Sequence, residues 1–334
     1  MFASYCLIVY FCIFVEIFAQ TNYTTTTLEK YNVDSNSVTV SGISSGGAMS
    51  NQFHFIFSDV IKGAGIFEGG PYLCAYVSVL GCAPDFQLVP LYNLEASMLS
   101  KAGKISPVQN IKGQKVYIFH GTNDKTIGVK SGRNLKKMYD HFGADVHAEF
   151  SLNAGHGQPV DGNGYGGPCE SVNPDQHYIN ECGYNGAYEM FSWLYGAENI
   201  TRPPKGYVAD GNIIYFNQTE FLPTTGKTSM SSTGLLYVPK GCADKTKMCR
   251  FHVAFHGCSS NIEAFGTDYV TKTQYAEVAE LNDIVILFPQ TANTDISPKG
   301  CWDFIGYTDR LTYPTKTGPQ AASAYRMLQR VLGN

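Results

Sequence analysis

Along the chain, short apolar runs rich in β-branched residues alternate with segments whose apolar positions recur at helical spacing. The runs predict strands at 38–41, 116–119, 146–150, 235–238, 251–255 and 284–288. The spacing predicts helices over 46–57, 132–141, 187–195, near 264–281, and from about 320 to 332. Strands that are apolar throughout, separated by helices, imply an α/β chain with a mostly parallel sheet and helices on both faces. There are no internal repeats and no long linker. Pro203-Pro204 breaks the pattern and marks a possible boundary. A single domain from about residue 30 to 334 is nevertheless expected, because the residues with chemical potential lie on both sides of it.

The first twenty residues contain no Lys or Arg, are almost wholly apolar, and give way to the polar run from Thr21 to Thr27. The stretch is short for a membrane span and is interrupted by Glu16. A cleaved signal peptide over 1–19, with Ala19 before the cut, therefore fits better than a membrane anchor. The expected location is extracellular, with no membrane contact after cleavage. That changes the reading of the ten cysteines: removing Cys6 and Cys12 leaves 10 − 2 = 8, an even number suited to disulfides in an oxidising compartment. Three N-x-S/T sequons, at Asn22, Asn199 and Asn217, become candidate glycosylation sites. With 24 Lys+Arg against 28 Asp+Glu the net charge is −4, so nucleic acid is not an expected partner.

The sharpest chemical signal is Ser41-Gly42-Ile43-Ser44-Ser45-Gly46-Gly47, set between a predicted strand and a predicted helix. This is the strand–G-x-S-x-G–helix arrangement of a nucleophile elbow. The register selects Ser44, with Gly42 two residues before and Gly46 two after. Ser45 fails the same test, because Ile43 stands at its −2 position. A serine hydroxyl needs a histidine base, and the base needs a carboxylate to orient it. Asp124 sits on the loop after the strand at 116–119, and His156 on the loop after the strand at 146–150. Ser, Asp, His is the chain order of an α/β-hydrolase triad. His147 and His252 lie inside predicted strands and His54 lies on the helix after the elbow, which suits a base less well. His120 directly follows its strand and is expected to support the acid loop. For the oxyanion hole, one donor is expected from the backbone N–H of Ser45. The second is expected from Cys258, after the strand-ending motif His256-Gly257. In most α/β-hydrolases that loop precedes the nucleophile. Here it follows all three triad residues, as a circular permutation would arrange it.

These segments, with Gly69-Gly70-Pro71-Tyr72, Cys74 and Gly300-Cys301-Trp302-Asp303-Phe304, resemble the extracellular poly(3-hydroxybutyrate) depolymerases, in particular the single-domain, circularly permuted fungal type. The resemblance runs from about Tyr31 to the C-terminus. It implies a secreted serine esterase of the α/β-hydrolase fold that cleaves polyester bonds. Ser44, Asp124 and His156 would form the triad, the amides of Ser45 and Cys258 the oxyanion hole, and Trp302 would stand near the polymer groove. The chain lacks the separate substrate-binding domain of many bacterial members. The bland alternative for Trp302 is a core tryptophan.

Sequence alone does not decide among the 105 pairings that eight cysteines allow. Proximity suggests Cys74–Cys82, Cys169–Cys182 and Cys242–Cys249. That leaves Cys258–Cys301, in agreement with the resemblance. No metal and no cofactor are expected. The expected partner is a polyester or other ester substrate, taken by a monomer. A feruloyl or acetyl-xylan esterase is the alternative within the same chemistry. A non-catalytic secreted binding protein on a hydrolase fold is the alternative from another class.

Overall fold

Eleven strands order the chain in the computed structural model, which describes residues 23–334 apart from Val79 and Asn163. The signal peptide expected at 1–19 and the sequon at Asn22 lie outside the described residues. The strands are β1 (Thr39–Ile43), β2 (Gly63–Phe67), β3 (Lys115–Phe119), β4 (Asp145–Glu149), β5 (Gln158–Val160), β6 (Gly167–Pro168), β7 (Ile179–Glu181), β8 (Asn212–Asn217), β9 (Thr233–Val238), β10 (Arg250–Phe255) and β11 (Ile284–Phe288). Eight form one sheet in the order β4-β3-β2-β1-β10-β11-β9-β8, while β5, β7 and β6 form a small second sheet. From β4 to β11 every neighbouring pair is parallel. β9 then runs antiparallel to both β11 and β8. The large sheet thus crosses Pro203-Pro204 without a break, pairing β1 with β10.

Every residue of β1, β2 and β11 is buried, as expected of strands covered on both faces. Successive side chains feed opposite layers, as the pleat requires. Val116 and Ile118 enter one core with Val40 and Val253, while Tyr117 and Phe119 enter the other with Ala254. The edge strand β4 is mostly half-exposed and opens on Asp145, which discourages further pairing there. Helix Pro319–Leu332 shows the amphipathic pattern clearly: Ala321, Ala324, Met327, Leu328 and Val331 share its buried stripe. Helix Ser45–Ile56 is buried at all positions but Ala48, so it carries no such stripe.

The expected strands and helices are present within a few residues, with one division. The helix expected near 264–281 is broken into Ile262–Phe265, Asp268–Thr271 and Tyr275–Asn282. Gly266 stands at φ +58 and Gln274 at φ +66, and a left-handed residue cannot continue a right-handed helix. Strands β2 and β8, the small sheet and helix Val89–Lys101 were not anticipated. The segment ahead of β1 meets the last helix: the Tyr31 N–H donates to the Val331 carbonyl at 2.9 Å. Among the described residues no helix is long and apolar enough to cross a membrane.

Parallel strands place their C-terminal ends at one edge of the sheet. The loops that follow β1, β2, β3, β4 and β10 therefore gather there, and they carry Ser44, Glu68, Asp124, His156 and Cys258.

Candidate active site

Ser44 stands between β1 and helix Ser45–Ile56 at φ 56, ψ −119. A non-glycine residue there is strained, and such strain is held only where the surroundings over-determine it. The glycines supply that constraint. A Cβ on Gly42 would meet the Gly46 carbonyl oxygen at 2.3 Å, and one on Gly46 would meet the Phe255 carbonyl oxygen at 2.2 Å. Only glycine lets the turn pack this closely against β10. The Ser44 N–H donates to the Phe67 carbonyl at 2.9 Å. The Ser44 side chain makes no capping bond to its helix, which leaves the hydroxyl free for chemistry.

The loop after β10 lies against the elbow. A Cβ on Gly257 would be 3.6 Å from the Ser44 Cβ. The Thr291 N–H donates to His256 Nε2 at 3.2 Å, so His256 carries its proton on Nδ1 and donates it to the Gly257 carbonyl at 2.7 Å. Burial pulls His256 down to about 4, which keeps it neutral. Ile43, Ser44, His156, Gln158, Ile179 and Cys258 are among the walls of a cavity of about 350 Å³, within the size range of small-molecule sites.

Asp124, which is not among the cavity walls, meets the wall residue His156. Asp124 Oδ1 accepts from the amides of Thr126 at 2.8 Å and Ile127 at 3.0 Å. It also lies 3.2 Å from His156 Nδ1. Burial alone would raise the Asp124 carboxyl. The His156 ring and the two amides outweigh it, so the group is held below the usual aspartate value. Burial pulls His156 down, but the Glu68 and Asp124 carboxyls outweigh that and raise it above 6.5. His120, expected to support the acid loop, bonds instead to the loop after β2, and its Nδ1 makes no hydrogen bond. Its Nε2 donates to the Gly69 carbonyl at 2.9 Å, and its Nδ1 is 3.9 Å from Asp124 Oδ2.

The histidine loop is fixed from below by Asn180, which is fully buried. Its side-chain amide donates to the carbonyls of Gly155, Cys169 and Ser171 at 3.1–3.2 Å. Four disulfides join Cys74–Cys82, Cys169–Cys182, Cys242–Cys249 and Cys258–Cys301, the pairing expected from sequence. The last ties the loop after β10 to the segment bearing Trp302. Cys242, Cys249 and Asp283 bring ligand atoms within 4.8 Å of one another, but both sulfurs are in a disulfide and offer no thiolate.

No family model matches the chain. The poly(3-hydroxybutyrate) depolymerase of Delftia acidovorans is 36% identical over 318 residues, covering 91% of this chain and 61% of that protein. The chain thus spans about three fifths of that relative's length. The polyhydroxybutyrate depolymerase of Talaromyces funiculosus is 33% identical over 300 residues, covering 84% of this chain and 86% of that protein. The chain belongs to the polyhydroxybutyrate depolymerase family. The crystal structure of the depolymerase from Penicillium funiculosum superposes with a TM-score of 0.84 at 31% identity, covering 92% of this chain and 99% of that one. A second solved structure, a PHB depolymerase complexed with an R3HB trimer, superposes with the same TM-score at 30% identity.

Family membership does not carry every expected role. Trp302 was expected near the polymer groove, and that expectation is corrected. The ring has no exposed surface and is not among the cavity walls. It packs edge-on against Phe255 at 4.8 Å and tilted over His256 at 5.5 Å. Its backbone N–H donates to the Ser45 hydroxyl at 3.3 Å. The physical reason is its position beneath the disulfide-tied loop, in the layer that also holds Val40 and Phe53. Asn199 is exposed and Asn217 partly so. Asn217 spends its side-chain oxygen on the Thr219 N–H and hydroxyl, at 3.1 and 2.6 Å. Two site residues escaped sequence reasoning, Glu68 and Asn180. For Glu68 a signal existed: the apolar run at 63–67 followed by Glu-Gly-Gly-Pro.

Proposed function

We propose that the chain is a secreted serine esterase that hydrolyses a poly(3-hydroxyalkanoate), with poly(3-hydroxybutyrate) as the favoured substrate. The supporting observation is that Ser44, His156 and Cys258 share one cavity wall with Asp124 directly behind His156, in a chain similar to depolymerases over most of its length.

In this reading the Ser44 Oγ attacks the ester carbonyl carbon while His156 Nε2 takes the hydroxyl proton. Asp124 holds Nδ1–H and stabilises the imidazolium. The charge that develops on the carbonyl oxygen is met by the amides of Ser45 and Cys258. The Ser45 N–H belongs to the first turn of helix Ser45–Ile56 and has no partner within the helix, so it is available for an anion. The ester C–O bond then breaks, and His156 returns the proton to the departing alcohol end of the polymer. Water, deprotonated by the same histidine, cleaves the acyl-serine to free acid and serine.

The ring order supports two further parts of the reading. Chain segments β1–β4 and β8–β11 build opposite halves of one sheet, and Tyr31, ahead of β1, hydrogen-bonds Val331 in the last helix. We read this as a circular permutation of the hydrolase topology, which accounts for an oxyanion loop that follows the triad in sequence. Four disulfides support export, with the chain acting as a monomer that carries glycans at Asn199 and Asn217.

Substrate class is tested by clearing of a poly(3-hydroxybutyrate) suspension beside a panel of feruloyl and acetyl esters. Clearing with slow turnover of the panel is expected. Brisk feruloyl or acetyl hydrolysis without clearing would reassign the chain to the plant-ester alternative. A second expected result concerns pH. His156 must be neutral to accept the serine proton, and the adjacent carboxyls hold it above 6.5. On a soluble ester, kcat/KM should therefore fall as pH drops through a midpoint above that value. A midpoint below 6.5 would contradict the charge arrangement described.

A further inference from the structure

His156 Nδ1 lies between two acids. Besides Asp124 at 3.2 Å, Glu68 Oε2 stands 3.1 Å away. The ring nitrogen is aligned with neither as a full hydrogen bond. Glu68 follows β2 directly, one strand nearer the elbow than the strand that carries Asp124. It is held deliberately. Its backbone is left-handed at φ 50, which is costly for a glutamate. Its N–H donates to the Phe119 carbonyl at 2.8 Å, and the Gly157 N–H, next to His156, donates to its Oε2 at 2.7 Å. The side chain is fully buried; the Gly121 amide also faces the carboxyl, but Oε1 makes no hydrogen bond of good geometry.

A buried carboxyl with one oxygen poorly satisfied destabilises a fold, so its presence calls for a role. The titratable groups facing it among the described residues are His156, Asp124 and, beyond Asp124, His120. His120 is pulled down to about 4 by burial and so contributes no charge at neutral pH. Asp124 already supplies one anion at the ring. Two carboxyls this close do not ionise together without cost.

We propose that Glu68 is a second positioning acid for His156, reaching the same ring nitrogen from the neighbouring strand and able to hold the imidazole when Asp124 is lost. This rests on the triad reading above. Burial, reinforced by the Asp124 charge, pushes the Glu68 carboxyl up to about 8, so of the two acids Asp124 ionises more readily and carries the larger share of the charge at the ring. Without the Asp124 charge, Glu68 gives up its proton to solvent more readily and takes over as acceptor of Nδ1–H. Glu68 forms no bond to substrate, and the ester chemistry is unchanged.

The test compares Asp124→Asn, Glu68→Gln and the double variant on a soluble p-nitrophenyl ester across pH, with Ser44→Ala and His156→Ala alongside. Loss of the acid from a triad costs about 10⁴-fold where no substitute exists. Here Asp124→Asn should fall by no more than about 10²-fold at high pH, a loss in kcat rather than KM. It should decline further at lower pH as Glu68 regains its proton. Adding Glu68→Gln should bring the loss to about 10⁴-fold and remove that extra acid limb. A merely structural glutamate would not create a pH limb that appears only when Asp124 is gone. Should the double variant fail to fold, the Asp124→Asn profile decides by itself, since one limb alone overturns the proposal. A 10⁴-fold loss for Asp124→Asn at every pH, with no further effect of Glu68→Gln, also overturns it while leaving the triad intact. Wild-type rates in Ser44→Ala or His156→Ala would instead remove the triad reading on which it stands.

Discussion

Ser44→Ala is expected to abolish ester hydrolysis while leaving the fold in place. Removing the nucleophile of a serine triad costs about 10⁶-fold in kcat, and the residual rate reflects binding and the oxyanion hole. The prediction is a large one because every other part of the site acts through that hydroxyl. Stability should barely move. Ser44 does not cap helix Ser45–Ile56, and the close approach of β1 to β10 depends on Gly42 and Gly46 rather than on the serine. The checks are hydrolysis of a soluble ester, a melting curve, and labelling by a phosphonate reagent. Exclusive labelling of Ser45, or wild-type activity in the variant, would falsify the assignment.

The second large effect concerns Trp302, and its sign follows from burial. Truncating a fully buried tryptophan removes its transfer free energy and leaves a cavity, a loss of about 3–5 kcal/mol. The void would open beneath the oxyanion loop, where the ring meets Phe255 and His256 and the Trp302 N–H meets the Ser45 hydroxyl. Trp302→Ala should therefore lower the urea midpoint strongly and reduce turnover of polymer and soluble ester together. A selective loss on polymer with an unchanged melting temperature would restore the groove role that burial argues against.

Glu68 shows where sequence reasoning stopped. The candidate triad residues stood out because each follows a predicted strand and carries a motif: G-x-S-x-G for Ser44, and strand-then-loop for Asp124 and His156. Strand β2 reads Gly-Ala-Gly-Ile-Phe, with two glycines and an alanine. That composition has poor strand propensity, so the strand, and with it the carboxyl at its end, is only weakly marked in the sequence. Its glycines exist for packing. A Cβ on Gly65 would meet the Met190 sulfur at 2.2 Å, and one on Gly63 the Lys115 carbonyl oxygen at 2.9 Å. Such a requirement is visible only once the helix Gly186–Tyr195 and β3 are in place. Asn180 was silent for a related reason. Its neighbours at 155, 169 and 171 are set by loop geometry rather than by any periodic pattern.

The alternation of strands and helices over most of the large sheet, and the candidate elbow serine, acid and base, were determined by the sequence itself. They depend on local backbone preference, on alternating burial, and on residue types that few other roles require. The disulfide pairing was legible for the three pairs close in sequence, since short loops leave few partners within reach. What the tertiary structure alone decided is which neighbours these residues meet. It brought a second carboxyl to the histidine because β2 and β3 are parallel neighbours, so the loops after them open at the same edge. It closed Trp302 into the core because its segment is tied by a disulfide to the loop after β10 and lies under it. Both outcomes rest on contacts between residues distant in the chain, and no local pattern of apolar and polar positions encodes those distances.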